Sequence, residues 1–262
     1  MRLTLRTAAT AVRPAHLARG SASECNAHYR RQVERGKRHL LVCADRPTGL
    51  GHDSDAPAAS GGVGQAGAAV DSIDDMRVLL RGLPLDGITA TVLTGLPGAA
   101  LLASLWCLVA QERTGGGRCR LEVALRPPEC GGQPGPTADG YGAPLSALLG
   151  AVCTPAGVRV RAASPAELAA PCGPAPASSG AIAAAQAERL AKLRAWRCED
   201  RVDRALAALR VSAADPGNRR TRDALGDALA AGASFGEVSG VLRTAWGGAH
   251  RASAAGGAGR GD

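Results

Sequence analysis

An α/β fold with about four parallel strands and a C-terminal helical segment is what this sequence predicts, on three observations. Short apolar runs alternate with amphipathic stretches between residues 21 and 162, the order of a right-handed βαβ series. Glycine and proline clusters punctuate that alternation. After residue 181 the strand-like runs stop and helical periodicity alone remains.

Each element has its own signal. Ser21 with Glu24 is a capping box, and Cys25, His28, Tyr29 and Val33 recur at helical spacing until Gly36, which predicts a helix over about 22–35. Leu40 to Ala44 is a short apolar run before Asp-Arg-Pro, as a buried parallel strand requires. Asp45 to Ala69 is rich in Gly, Ser, Ala and Asp and has no sustained periodicity, so it reads as a long loop. Ser72 with Asp75 opens a helix that turns Met76, Leu79 and Leu80 inward and stops at Gly82. Ile88 to Leu93 is the second strand, Ala99 to Gln111 a helix, and Cys119 to Leu125 the third strand. Prolines and glycines break the periodicity after Arg126 until a helix over Pro144 to Val152 and a fourth strand over Val158 to Ala162.

Pro165 to Gly180 is an Ala, Pro and Ser linker. Leu190, Leu193, Trp196, Val202, Leu206 and Leu209 mark two amphipathic helices, and Asp215-Pro216-Gly217-Asn218 turns the chain. A third helix runs from Arg222 to Ala231, and Ser234 with Glu237 caps a fourth that buries Val238, Val241 and Leu242. The resulting organisation is a basic flexible arm over 1–20, a partial barrel over 21–162, a linker over 163–180, a helical segment over 181–247 and a disordered tail over 248–262.

Composition narrows the class. In 262 residues, 45% are apolar but only 2% aromatic, so a core must be built from Leu, Ala and Val. The net charge of +8 is carried by arginine, since Lys37 and Lys192 are the only lysines. Arginine forks suit phosphates and carboxylates, yet no zinc-finger spacing, aromatic-glycine motif or continuous basic helix supports nucleic-acid binding. The eight cysteines are scattered without metal-ligand spacing and read as small core hydrophobes of a reducing cytoplasm. Arg2, Arg6, Arg13 and Arg19 in an acid-free opening segment also read as a mitochondrial transit peptide, which would place the protein in the matrix. No apolar run reaches membrane-spanning length.

Beside these patterns stands an ordered set of motifs: Asn26-Ala27-His28-Tyr29-Arg30-Arg31, Asp45, Pro47-Thr48, Gly51, Asp53-Ser54-Asp55, Gly62-Val63-Gly64, Ala66-Gly67, Val70-Asp71-Ser72, Asp75-Met76 and Gly82-Leu83-Pro84-Leu85-Asp86. In order and spacing this set resembles the start of the barrel domain of cobalamin-dependent acyl-CoA mutases, the methylmalonyl-CoA mutase-like family. Arg189-Leu190, Lys192 to Ala195, Ala205 to Arg210, Gly217-Asn218, Ala231 to Ala233, Gly236-Glu237 and Trp246-Gly247 resemble the helical segment that closes the family's catalytic chain. Matches at both ends with a missing middle suggest internal deletion. The resemblance implies a partial (β/α) TIM-type barrel, adenosylcobalamin as cofactor, an acyl-CoA as ligand, and rearrangement of a short acyl-CoA by radical chemistry. The Asp-x-His-x-x-Gly motif that supplies the cobalt's lower ligand is missing, so cobalamin would arrive with a separate chain.

By the same resemblance, individual positions acquire roles. Arg13 with Pro14 matches the family's Arg-Pro ahead of the barrel, but no tyrosine follows it before Tyr29. Ala44 stands where the family has a cofactor-facing phenylalanine, and Gly49 where it has a histidine. Ala66 matches a residue that approaches the corrin, and is also simply an alanine in a tight Gly-Gln-Ala-Gly turn. Thr91 keeps the hydroxyl of a substrate-contacting pair, and is also an ordinary β-branched strand residue. Arg120 lies near the position of the arginine that pairs with a substrate carboxylate, once one residue is inserted before Pro127-Pro128-Glu129. Tyr141 is a remnant of the thioester-polarising Tyr-His pair or a plain loop residue. No catalytic residue and no metal ligand is assigned. Two expectations follow: a mutase-family chain with little or no catalysis of its own, or a non-catalytic subunit that binds a full-length mutase or a cobalamin-binding chain. An open sheet edge and uncovered helices further predict self-association or docking.

Overall fold

The computed structural model of the protein describes residues 17–115, 120–127, 142–171 and 179–256, with side chains described through residue 247. Helix α1 spans Ala22–Glu34, its start fixed by the predicted capping box: Glu24 N donates to Ser21 Oγ at 3.4 Å and Ser21 N to the Glu24 carboxylate at 2.8 Å. Strand β1 (His39–Cys43) leads into a short helix α2 (Arg46–Leu50), a 3-10 turn at Pro57–Ala59, and helix α3 (Ile73–Leu80). Strand β2 (Thr89–Thr94), helix α4 (Leu96–Thr114), strand β3 (Arg120–Leu125), helix α5 (Gly142–Cys153) and strand β4 (Arg159–Ala162) complete the alternation. A one-turn helix α6 (Pro165–Leu168) precedes the helical segment of α7 (Ser179–Trp196), α8 (Glu199–Ser212), α9 (Arg219–Ala230) and α10 (Phe235–Gly256).

The strands form one sheet in the order β1-β2-β3-β4 with every pairing parallel, as predicted for a partial β/α barrel. Alternate residues face opposite sides. Leu40, Val42, Ala90, Val92, Leu121 and Val123 turn to the helix side, where Tyr29, Met76, Leu101, Leu105, Trp106 and Leu148 join them in one core. That core contains a single phenylalanine and relies on Ala99, Ala100, Ala103 and Ala110 of α4 for close approach, as the aromatic-poor composition requires.

The C-terminal helices are part of the same core. Val202, Leu209, Leu225, Leu229, Phe235, Val238 and Trp246 continue the cluster, with α9 against α4 and α5, and Trp246 Nε1 donates to Ala213 O at 2.9 Å. The apolar faces of α8, α9 and α10 are therefore covered from within the chain, whereas the sequence predicts that they need an outside cover.

Other expectations change as well. The stretch from Asp45 to Ala69 contains α2 and a 3-10 turn, because Asp45 caps α2 and also receives Gly64 N, pinning both ends of the loop. The linker begins with structure: Ser164 and Glu167 form a second capping box that opens α6. Trp196 lies on the periodic stripe yet its side chain is 88% exposed. The last helix continues to Gly256, past the Gly247 at which a disordered tail is expected; the alanines between them favour helix.

Candidate functional site

In a β/α barrel the inner face of the sheet and the loops at the C-terminal ends of the strands carry the chemistry. Here the inner face is read off the register: Leu41, Thr91, Glu122 and Arg159 form one row, and Cys43, Leu93, Ala124 and Arg161 the row above it. The upper rows are packed, not open. Leu17 and Ala170 sit with Leu41, Cys43, Leu93 and Ala124 in a buried apolar cluster that Ala163 flanks. Leu17 N donates to Pro171 O at 2.9 Å, so the segment before α1 and the segment after α6 close over the sheet together.

An ion network holds this cover. Arg161 grips Glu167 with both Nη atoms, at 2.7 and 2.5 Å, and its Nε reaches Glu122 at 3.3 Å. Arg159 also pairs with Glu122. Ser164 N and Oγ donate to the same Glu167 carboxylate, at 2.8 and 2.9 Å. Burial alone would raise the Glu167 pKa, but the Arg161 and Ser164 hydrogen bonds outweigh it and hold the carboxyl down at about 2.

The predicted site residues are not brought together. Ala44 and Ala66 do meet at the C-terminal end of β1: Cys43 Sγ donates to Ala66 O at 2.9 Å, and Ala44 bridges to Ala68. Ala44 is 6% exposed, walled by Gly67, where a Cβ would fall 2.4 Å from the Ala44 carbonyl carbon. Thr91 is buried on the inner face, and its hydroxyl is taken by His39 Nε2 at 3.0 Å. Arg120 opens β3 at the opposite end of the sheet, in register with Thr89, about 13 Å of strand rise from the Ala124 row. Arg13 and Tyr141 lie outside the described residues. No helix among the described residues is long and apolar enough to cross a membrane, and no cluster of three His, Cys, Asp or Glu there could hold a metal ion.

What the structure does gather is a set of buried carboxylates at the seam between the barrel-like part and the C-terminal helices. Asp53 accepts Ser234 Oγ at 2.6 Å, Gly236 N at 2.5 Å and Arg194 Nη2 at 3.0 Å. Asp71 accepts Ser54 N at 2.7 Å and Gln186 Nε2 at 2.9 Å, while its carbonyl receives Phe235 N at 2.7 Å. Asp75 accepts Asp71 N at 3.0 Å and has Arg189 Nη2 2.6 Å away in an ion contact. Burial pushes all three pKa values up; for Asp71, to about 8, the Asp75 charge adds to burial and the Ser54 hydrogen bonds oppose it. Asp45 is likewise raised by burial, to about 6, against the hydrogen bonds from Gly64 and Thr48.

These seam residues belong to the motifs Asp53-Ser54-Asp55, Val70-Asp71-Ser72, Asp75 and Arg189 to Arg194, so their work here is to join one matched part of the chain to the other. Sequence reasoning names them only as family motifs; the periodicity of α7, which spaces Gln186, Arg189 and Leu190 along one face, is the signal that could have found the seam. The Ser164-x-x-Glu167 box, read as linker, is the signal for the cover.

The family model of methylmalonyl-CoA mutase matches residues 14–123 and 166–248, together well over half of the chain. The methylmalonyl-CoA mutase large subunit of Streptomyces virginiae is 45% identical over 95 residues, which are 36% of this chain and 13% of that protein. The large subunit of Propionibacterium freudenreichii subsp. shermanii is 44% identical over 94 residues, again 36% of this chain and 13% of its own length. The methylmalonyl-CoA mutase of Escherichia coli (strain K12) is 40% identical over 95 residues, 36% of this chain and 13% of its length. The matched stretch thus covers about an eighth of each of these relatives. With two matched segments, separated by residues 124–165 and docked through the carboxylate seam, the chain belongs to the methylmalonyl-CoA mutase family.

Proposed function

We propose that this chain keeps the fold of the mutase family without carrying out the carbon-skeleton rearrangement itself, and that it serves as a non-catalytic partner of a full mutase chain or a cobalamin-binding chain. One observation carries this reading: the inner face of the sheet, along which an acyl-CoA would have to lie, is filled by Leu17 and Ala170 packed on Leu41, Cys43, Leu93 and Ala124. Radical chemistry needs an enclosed space that holds substrate and excludes water. Here water is excluded by the protein's own side chains.

The candidate substrate and cofactor residues support the same reading. Thr91 already spends its hydroxyl on His39, and Arg120 stands at the far end of the strands from Ala44 and Ala66. Adenosylcobalamin, the cofactor that the family implies, does not fit against Ala44, which is buried beneath Gly67 and Ala68 and offers the corrin no surface.

The partner role draws on Trp196, whose 88% exposed side chain borders a cavity of about 430 Å³ lined by Ser72, Asp75, Arg189, Leu190 and Leu193 among others. Both matched family segments contribute to that cavity, and an exposed tryptophan ringed by charged residues has the make-up of an interface anchor.

The test mixes the purified chain with a cobalamin-binding mutase subunit, adenosylcobalamin and methylmalonyl-CoA, and follows succinyl-CoA by chromatography. The reading expects no turnover above the subunit alone, with complex formation seen by light scattering and weakened by Trp196→Ala. Isomerisation that depends on this chain would overturn it.

A further inference from the structure

Among the described residues every tryptophan, tyrosine and phenylalanine is buried except one. Trp196, at the end of α7, stands out in water beside the cavity of about 430 Å³ between the start of α3 and α7. Buried Leu190 and half-buried Leu193 line that cavity, and Asp74, Arg189 and Lys192 lie around it. A projecting indole and a recess with an apolar lining thus share one surface.

The rim carries both signs of charge. Asp74 pairs with Arg77, Arg189 with Asp75, Lys192 with Glu188, and Arg197 with Glu199 and Glu237, so no excess of either sign faces outward. A strongly acidic or strongly basic partner finds no complement there. A surface that closes on its own copy about a two-fold axis needs a projection, a recess to receive it and charges of both signs, because each feature must meet its own complement. This surface holds all three.

We propose that a second copy of this chain docks here, the two α7 helices crossing antiparallel near Leu193 so that each Trp196 enters the cavity of the other copy. Trp196 lies less than two turns beyond Leu190, so such a crossing sets each indole over the opposite recess. Two indoles supply only about a third of the area of the smallest stable interface, so the outer face of α7 has to be covered as well. Its exposed Ala184, Ala185, Ala191 and Ala195 let a second helix come close. The inference rests on the reading of Trp196 as an interface anchor, but in the chain alone the occupant is another copy and not a mutase subunit.

The experiment is sedimentation velocity of the full chain alone over a concentration series, which should show a reversible equilibrium between monomer and dimer. Trp196→Ala, a change at an exposed site that leaves the core untouched, should raise the dissociation constant about tenfold or more, as loss of an interface anchor does. Lys192→Glu keeps the indole but turns the rim acidic beside Asp74 and Glu188, and should also weaken the dimer. Val211→Ala, similarly exposed on α8 but outside the cavity lining, should leave it unchanged. A chain that stays monomeric throughout the series, or a dimer that Trp196→Ala leaves as tight, would overturn the proposal. A monomer that still binds a mutase subunit would sink the dimer and spare the proposed function, whereas a Trp196-dependent dimer that supports turnover would do the reverse.

Discussion

Arg194 on α7 reaches two carboxylates of the loop after β1 at once: its Nη2 lies 3.0 Å from Asp53 Oδ2 and its Nη1 2.5 Å from Asp55 Oδ2. Asp53 is nearly fully buried and also holds Ser234 and Gly236 at the start of α10, so this one arginine helps to fasten two C-terminal helices to the sheet-bearing part. Arg194→Ala leaves Asp53 buried with hydrogen bonds but no counter-charge. Because the arginine is itself about a third exposed, the expected loss is about 1–3 kcal/mol in urea unfolding, below the full penalty for breaking a buried pair. Asp55→Ala, at the more exposed end, should cost less than about 1 kcal/mol.

The seam also sets a pH dependence. Asp71 has its pKa raised to about 8 in the fold, so between the ordinary carboxylate value and about pH 8 the folded chain keeps a proton that the unfolded chain has lost. Stability from this group is therefore fully present below about pH 4 and declines as pH rises through that window, by about 1.4 kcal/mol per pH unit for one proton. Asp45, raised to about 6, adds the same sign over pH 4 to 6. Glu167, held down at about 2, acts oppositely, its contribution vanishing only as pH falls from about 4.5 towards 2. Tm measured from pH 5 to 9 should fall, and Asp71→Asn, which removes the charge that faces Asp75, should flatten the profile and raise Tm at pH 8.

Two glycines separate backbone freedom from close packing. At Gly67 a Cβ would fall 2.4 Å from the Ala44 carbonyl carbon, which no side chain can relieve, so Gly67→Ala should cost about 3 kcal/mol or more. Gly36 has φ +84° with nothing within 4 Å, so Gly36→Ala meets only the left-handed backbone penalty of about 1–2 kcal/mol. Chemical denaturation of the two variants side by side checks the order.

Leu17 is the apolar lid residue over Cys43, Leu93 and Ala124. Leu17→Ala should lower stability by about 2–4 kcal/mol and open the cluster to water. Glu167→Gln, which loosens the grip of Arg161 on the segment after β4, should open it with a smaller loss of stability.

How much of this was legible depended on whether order came from local or distant partners. The start of α1 and the apolar faces of α3 and α10 could be read directly, because caps such as Ser21 with Glu24 and periodic residues such as Met76, Leu79 and Leu80 act within a turn or two. The loop from Asp45 to Ala69 could not, because what orders it spans the sequence: Asp45 with Gly64, Ser54 with Asp71, and Asp53 with Ser234. The same holds for the site. Family motifs pointed to Ala44 and Ala66, which do meet, but the burial of Ala44 and the filling of the inner face by Leu17 and Ala170 depend on the segment after α6, whose composition reads as linker. Trp196 sits at core spacing yet is exposed where α7 ends, while the next residue, Arg197, turns to Glu237 of α10.

The sealed inner face is tested most directly by mass-spectrometric mapping of cysteine labelling on the native chain. Cys198 is exposed and Cys43 fully buried beneath Leu17, so a brief pulse of iodoacetamide should label Cys198 and leave Cys43 unmodified until the chain is unfolded in urea. Labelling of Cys43 at the rate of Cys198 in the native protein would contradict the account.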